Sequence, residues 1–150
     1  MTDDLPEPGT LFLVGTPIGN MGDLSPRAAE ALERVARVAA EDTRRTGLLL
    51  ERIGARTPMI SFHAHNEAKR VPEILAALGR GESVAVVSDA GNPGISDPAE
   101  RLVRAAVEAC FRVVPIPGPS AFVAALVASG LPAGAFVFQG YLPGRKSARR

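Results

Sequence analysis

The sequence predicts an α/β fold, a mainly parallel sheet with helices on both faces. Two observations carry this. Short apolar runs alternate with stretches of helical spacing, and the 15 Gly and 13 Pro of the 150 residues gather at the ends of those runs, as turns require, rather than in tracts. Strand, turn and helix in repeated order imply parallel pairing, because a parallel pair needs a long crossover and a helix supplies it.

The elements follow in order. "TLFLVG" (10–15) reads as a buried strand. "SPRAAEALERVARVA" follows as a helix, with Ser25 as N-cap, Pro26 at the first helical position, and Ala28, Leu32, Val35 and Ala36 on one face. A short run at Val38–Ala40 leads into "EDTRRTGLLLERIG", a helix closed by Gly54. "PMISF" (58–62) is a short strand. Ala68, Val71, Leu75 and Leu78 then form a helical stripe in which Pro72 implies a kink or a helix start. "SVAVVS" (83–88) is a second buried strand. In "SDPAERLVRAAVEA", Asp97 caps, Pro98 fits the first turn and Glu100 sits near a capping-box position. "FRVVPI" (111–116) is a strand, "PSAFVAALVASG" a helix that stops at Gly130, and "AFVFQG" (135–140) a last strand.

Composition narrows the class of protein. A chain 46% hydrophobic and 22% charged is ordinary for a globular domain, and 150 residues can bury a real core. The net charge of +1 gives no overall field, so any nucleic-acid surface must be a local patch. Cys110 is the single cysteine, which excludes an internal disulfide and suits a reducing compartment; it reads as a small buried hydrophobe rather than a nucleophile. The start, "MTDDLPEPG", lacks signal-peptide character, and no apolar stretch is long enough to span a bilayer. A cytoplasmic location with no membrane association is expected. Residues 1–140 read as one α/β domain. The basic "GYLPGRKSARR" after it lacks apolar periodicity and looks like an exit, with 141–150 as the start of a linker.

Three turns leave the carboxyl ends of predicted strands, where open α/β sheets hold ligands: "GTPIGN" (15–20), "SDAGNPGISDP" (88–98) and "PIPGPSA" (115–121). Each joins Gly, which allows close backbone approach, to Pro, which fixes the loop shape. One such turn alone would be an ordinary connection; three on one edge point to a rigid, backbone-lined ligand site. Familiar alternatives fail on spacing. "GTPIG" is G-x-x-x-G rather than G-x-G-x-x-G, "GYLPGRKS" has three residues between its glycines and an inserted Arg, and no G-x-S-x-G is present.

Four stretches, "VGTPIGNMGDLSPRA", "AEDTRRTGLLL", "VVSDAGNPGISDP" and "PIPGPSA", in this order and at these separations, resemble the tetrapyrrole methylase superfamily. Within it they look like the ribosomal RNA small-subunit methyltransferase I family, and the resemblance runs from about Gly9 to the end of the chain. It implies the N-terminal half of a non-Rossmann methyltransferase that uses S-adenosylmethionine to methylate the 2′-hydroxyl of a cytidine in the decoding region of 16S rRNA, in the small ribosomal subunit. A homodimer, and a second domain that completes the cofactor cleft and is absent from this chain, are also implied. On that footing the 150 residues alone are expected to fold, to bind the cofactor weakly and not to turn over.

Carried onto this chain, the resemblance makes Pro17, Asp89, Ala90, Gly91, Ile95, Ser120 and Ala121 the cofactor-facing positions. Asp89 equally suits an Asx turn before Ala-Gly, and Ser120 the N-cap of the helix that follows. Glu41, Asp42 and Arg44 are the catalytic candidates, and Asn20, Asp23, Thr43 and Arg44 the RNA-facing ones. A ribose hydroxyl has a high pKa, so transfer needs a base or strong orientation; Glu41 and Asp42 suit that work and Arg44 a phosphate, although Asp42 also suits the N-cap of the next helix. No single base is named. Arg44, Arg45, Arg52 and Arg56 are expected to form a basic helix face, and Arg145, Lys146, Arg149 and Arg150 a basic exit. His63 and His65 would share a face if they lay on a strand; without a third ligand nearby, a surface or RNA-facing role is expected and no metal. Two positions depart from the family pattern, which usually has Thr in place of Asn92 and Gly in place of Ala99. Two other readings stay open: a superfamily member acting on a small tetrapyrrole, and a non-catalytic RNA-binding fragment.

Overall fold

The computed structural model describes residues 9–142 apart from residue 96. The acidic start and the basic exit at Arg145–Arg150 therefore lie outside the described residues. Five strands form one sheet in the order β3-β2-β4-β1-β5, with every pair parallel: β1 Leu11–Val14, β2 Arg37–Ala40, β3 Met59–Ser61, β4 Val84–Val87 and β5 Val113–Ile116. The helices between them are α1 Pro26–Arg34, α2 Thr43–Arg52, α3 Glu67–Gly79 and α4 Ala99–Glu108.

Each face of the sheet is closed by one pair of helices. Phe12, Val14, Val38, Ala40, Ala85 and Val87 pack with Ala28, Leu32, Leu49 and Leu50 of α1 and α2. The alternate residues Leu11, Ala39, Val84 and Val86 pack with Val71, Ile74, Leu78, Leu102 and Ala106 of α3 and α4. Apolar side chains at both parities are what a strand buried on two faces requires. The crossovers after β1 and β2 use one face, and those after β3 and β4 the other. The chain thus reverses direction around β1 and β4, and a crevice opens at their carboxyl ends.

Several local signals act as the sequence implied. Ser25 accepts a hydrogen bond from the Ala28 N–H (3.1 Å) with Pro26 in the first turn of α1, and Gly54 follows the end of α2. Others are corrected by tertiary pairing. The α1 stripe extends on paper to Ala36, yet the helix ends at Arg34 and Ala36 is exposed, because its N–H donates to Ser83 and the chain enters β2. The short run at Val38–Ala40 is thereby part of an interior strand. Pro72 neither starts nor ends a helix. α3 begins at Glu67 and runs through it, since the N–H that Pro72 lacks would have served exposed Ala68. Cys110 is exposed rather than buried and holds φ 59° just past α4, where the Phe111 N–H returns to Ala106.

Compact packing divides the chain between Ser120 and Ala121. In the second unit α5 spans Ala121–Ala128, and Phe122 stacks on Phe138 with ring centroids 4.7 Å apart. The expected strand at 135–140 is absent: the segment is a short apolar run but pairs with no described strand, and Val137 is exposed. No described helix is long and apolar enough to cross a membrane.

Candidate active site at the carboxyl rim of the sheet

The turns after β1, β4 and β5 meet. Thr16 and Gly91 exchange backbone hydrogen bonds (2.9 and 3.1 Å), and the buried Thr16 hydroxyl donates to the Ser88 carbonyl at 3.2 Å. Asn92 ties the second turn to the third: its amide N–H group donates to the carbonyls of Gly118 (3.3 Å) and Pro119 (3.1 Å), and its Oδ1 accepts from the Gly118 N–H (3.2 Å). Gly15 and Gly118 approach so closely that a Cβ on Gly15 would lie 2.6 Å from the Gly118 Cα. Asn92 is thus a structural clasp, while Ala99 is buried at the start of α4.

A fourth turn joins from β2. Asp89 accepts from the Asp42 N–H (3.1 Å) on one carboxylate oxygen and from Arg45 (3.2 Å) on the other. Glu41 accepts from the Asp89 N–H at 3.3 Å. Asp42 caps α2 through the Arg44 N–H (2.9 Å), and the Arg44 guanidinium wraps back onto both of its oxygens (3.2 and 2.8 Å). Those bonds to the Arg44 side chain, with the backbone bond next, hold the Asp42 carboxyl at about 2, below its ordinary 3.8. A carboxylate so held is a weak proton acceptor near neutrality.

Pro17, Asp89, Ala90 and Gly91 therefore sit in turns that are physically joined, with exposed Ile95 further along the second turn and Ser120 at the end of the third. Ala121 is the first residue of α5. Asn20 and Asp23 belong to a short 3-10 turn, Met21–Asp23, where the Asn20 side chain accepts from the Gly22 N–H (2.9 Å) and both residues are exposed. Thr43 opens α2. Asp97 acts one residue before the assigned cap of α4: it accepts from the Ala99 N–H at 2.9 Å and closes the loop onto the Gly94 N–H, while Glu100 pairs with Arg104 instead of returning to the cap.

One expectation changes. The four arginines do not share a face. Arg44 binds Asp42, Arg56 lies past the helix in another depression, and only Arg45 and Arg52 line a cleft of about 380 Å³ with Pro17, Gly19, Met21 and Asp89. His63 and His65 follow β3 in a turn, packed edge to face with centroids 5.9 Å apart, so strand spacing does not apply to them. A second rim cleft of about 620 Å³ lies on the other side of Glu41, among Glu67, Asp97, Glu100, Arg101 and Arg104. Thr16, Asn92 and the Arg45–Arg52 pair are the positions that sequence reasoning undervalued. Only the seven-residue arginine spacing on α2 signalled any of them.

A doubly wound parallel sheet whose β1, β4 and β5 turns form one rim is an α/β domain of the kind that holds a ligand at its carboxyl edge. The chain belongs to the tetrapyrrole (corrin/porphyrin) methylase family, whose model matches residues 10–148. It is similar to proteins named ribosomal RNA small subunit methyltransferase I. It shares 55% identity with that of Xylella fastidiosa strain Temecula1 over 95% of this chain and 52% of that one. With that of Synechocystis it shares 53% (95% and 51%), and with that of Escherichia coli O157:H7 49% (95% and 50%). The chain spans about half the length of these curated relatives. Among solved structures it resembles a uroporphyrin-III-C-methyltransferase from Thermus thermophilus, with TM-score 0.63 and 25% identity over 85% of this chain and 54% of that one.

Proposed function

We propose that this chain supplies the N-terminal half of an S-adenosylmethionine-dependent methyltransferase that modifies the 2′-hydroxyl of a cytidine in the decoding region of 16S rRNA. In this reading 1–140 is its first α/β domain, 141–150 begins a linker, and the protein works as a cytoplasmic homodimer. The observation that carries it is the union of four turns on one rim, in a chain about half identical to the rRNA methyltransferases named above.

The rim suits the cofactor. Exposed Ile18 lies against Gly91 and exposed Ile95 follows later in the same turn, apolar ground for an adenosine, and Asp89 uses two of its roughly four acceptor positions among the described residues. Pro17, Asp89, Ala90, Gly91, Ile95, Ser120 and Ala121 would hold it. When bound, it supplies an electrophilic methyl group. The protein's own part is orientation: Asn92 and Thr16 keep the turns in register, and Glu41, Asp42 and Arg44 with Asn20, Asp23 and Thr43 would position the ribose and its phosphates. Arg44 occupies both oxygens of Asp42, whereas Glu41 keeps one oxygen without a partner among the described residues, able to accept the hydroxyl proton.

Methyl transfer by the complete protein to small ribosomal subunits, followed by mapping of the modified nucleotide, tests this. A labelled cytidine 2′-O position is expected. Transfer to a small tetrapyrrole and none to rRNA would favour instead the activity named for the Thermus thermophilus structure.

A further inference from the structure

The two rim clefts flanking the Glu41–Asp89 contact differ in charge. In the larger one, Arg101 pairs with Glu67 (3.5 Å) and Arg104 with Glu100 (2.9 Å), which leaves Glu41 and Asp97 in excess. The smaller one reverses this. Among the described residues its one carboxylate, Asp89, is matched by Arg45, and Arg52 makes no ion pair. Arg45 and Arg52 stand seven residues apart on α2, so they lie on one face about 10.5 Å apart along the axis. Leu48, 62% exposed, and Met21 give the same cleft apolar wall between them. A compact ligand at the rim has no use for a cation two turns down the helix. A polyanionic strand that leaves the rim along α2 does.

We propose that this cleft is the track for the RNA backbone next to the target nucleotide, with a phosphate held at Arg52, a base against Leu48 and Met21, and Arg45 poised between Asp89 and a second phosphate. The proposal rests on the rRNA reading above and adds the direction in which the strand leaves the site: over the α1–α2 face, away from the acidic cleft. Guanidinium groups suit phosphate oxygens, and each phosphate contact releases counterions.

The test uses the complete protein, small ribosomal subunits and the variants R52Q, R52K and R104Q, the last in the acidic cleft. R52Q is expected to raise KM for subunits about tenfold with kcat unchanged, the mark of lost uniform binding. The slope of log affinity against log salt should become shallower by about 0.7. R52K should restore most of that slope, R104Q should match the unaltered protein, and calorimetric affinity for S-adenosylmethionine should be the same in all. If the unaltered protein neither binds nor methylates subunits, the rRNA reading itself fails. If it does both while R52Q keeps its KM and salt slope, or if R52Q loses cofactor affinity instead, the strand track is overturned and the reading stands.

Discussion

At the level of single residues, the tightest constraint is the contact between Gly15 and Gly118. A Cβ on either would lie 2.6 to 2.7 Å from the other's Cα, and one on Gly15 would also lie 2.6 Å from the Asn92 Oδ1, so even if that side chain yields the backbone clash remains. Gly15→Ala is expected to cost about 1–3 kcal/mol of stability in denaturant melts, as overpacking does; an unchanged midpoint would contradict the close approach. Cys110 is the opposite case. Its φ of 59° strains any side chain, so Cys110→Gly should stabilise by about 1 kcal/mol, read as a higher urea midpoint. Asp42 carries a pH signature. Its folded pKa, about 2, lies below the ordinary 3.8, so its contribution is complete above pH 4 and is lost as pH falls toward 2. Asp42→Asn should flatten the stability profile between pH 4 and 2 and leave its slope near neutrality unchanged.

Among elements, the β4–α4 and β5–α5 turns are held together by one side chain. Asn92 gives two donor contacts and one acceptor contact to the third turn. Asn92→Ala leaves the Gly118 N–H and two carbonyls without these partners, at a cost of about 1–3 kcal/mol. Cofactor affinity should weaken in parallel, because the turn carrying Ala90, Gly91 and Ile95 loses its anchor. Calorimetry on the complete protein would show both effects, and a stable variant with full affinity would refute the clasp. Helix ends show how far such local chemistry reaches. Ser25 and Asp42 cap as their positions in the sequence imply, but α1 stops two residues early because the sheet claims Ala36.

Across the whole molecule, a net charge of +1 hides a division of sign between two clefts on one rim. A single figure for the chain therefore says nothing about where a polyanion could bind, whereas the arrangement of pairs separates a basic cleft from an acidic one. The chain spans about half of the relatives it resembles. Residues 1–150 on their own are expected to bind S-adenosylmethionine weakly and to give no turnover; tight calorimetric binding by this segment would show that its own rim suffices.

The parallel α/β class, the first and fourth strands, the caps at Ser25 and Asp42 and the Gly/Pro corners were all legible in the chain, because each is written in residues close together in sequence. A buried strand reads as an apolar run and a turn as Gly beside Pro, wherever the rest of the protein goes. What could not be read was adjacency. That β1 lies between β4 and β5, so that Thr16 meets Gly91 and Asn92 meets Gly118, depends on how five strands share two covered faces. The same holds for the apolar segment at 135–140, which needed a neighbouring strand and has none among the described residues, and for Arg52, whose freedom from any carboxylate among the described residues emerges only when α2 is set against the first turn. Backbone pairing and charge pairing over long sequence separations are won in competition among all the elements at once, and no local pattern records the outcome.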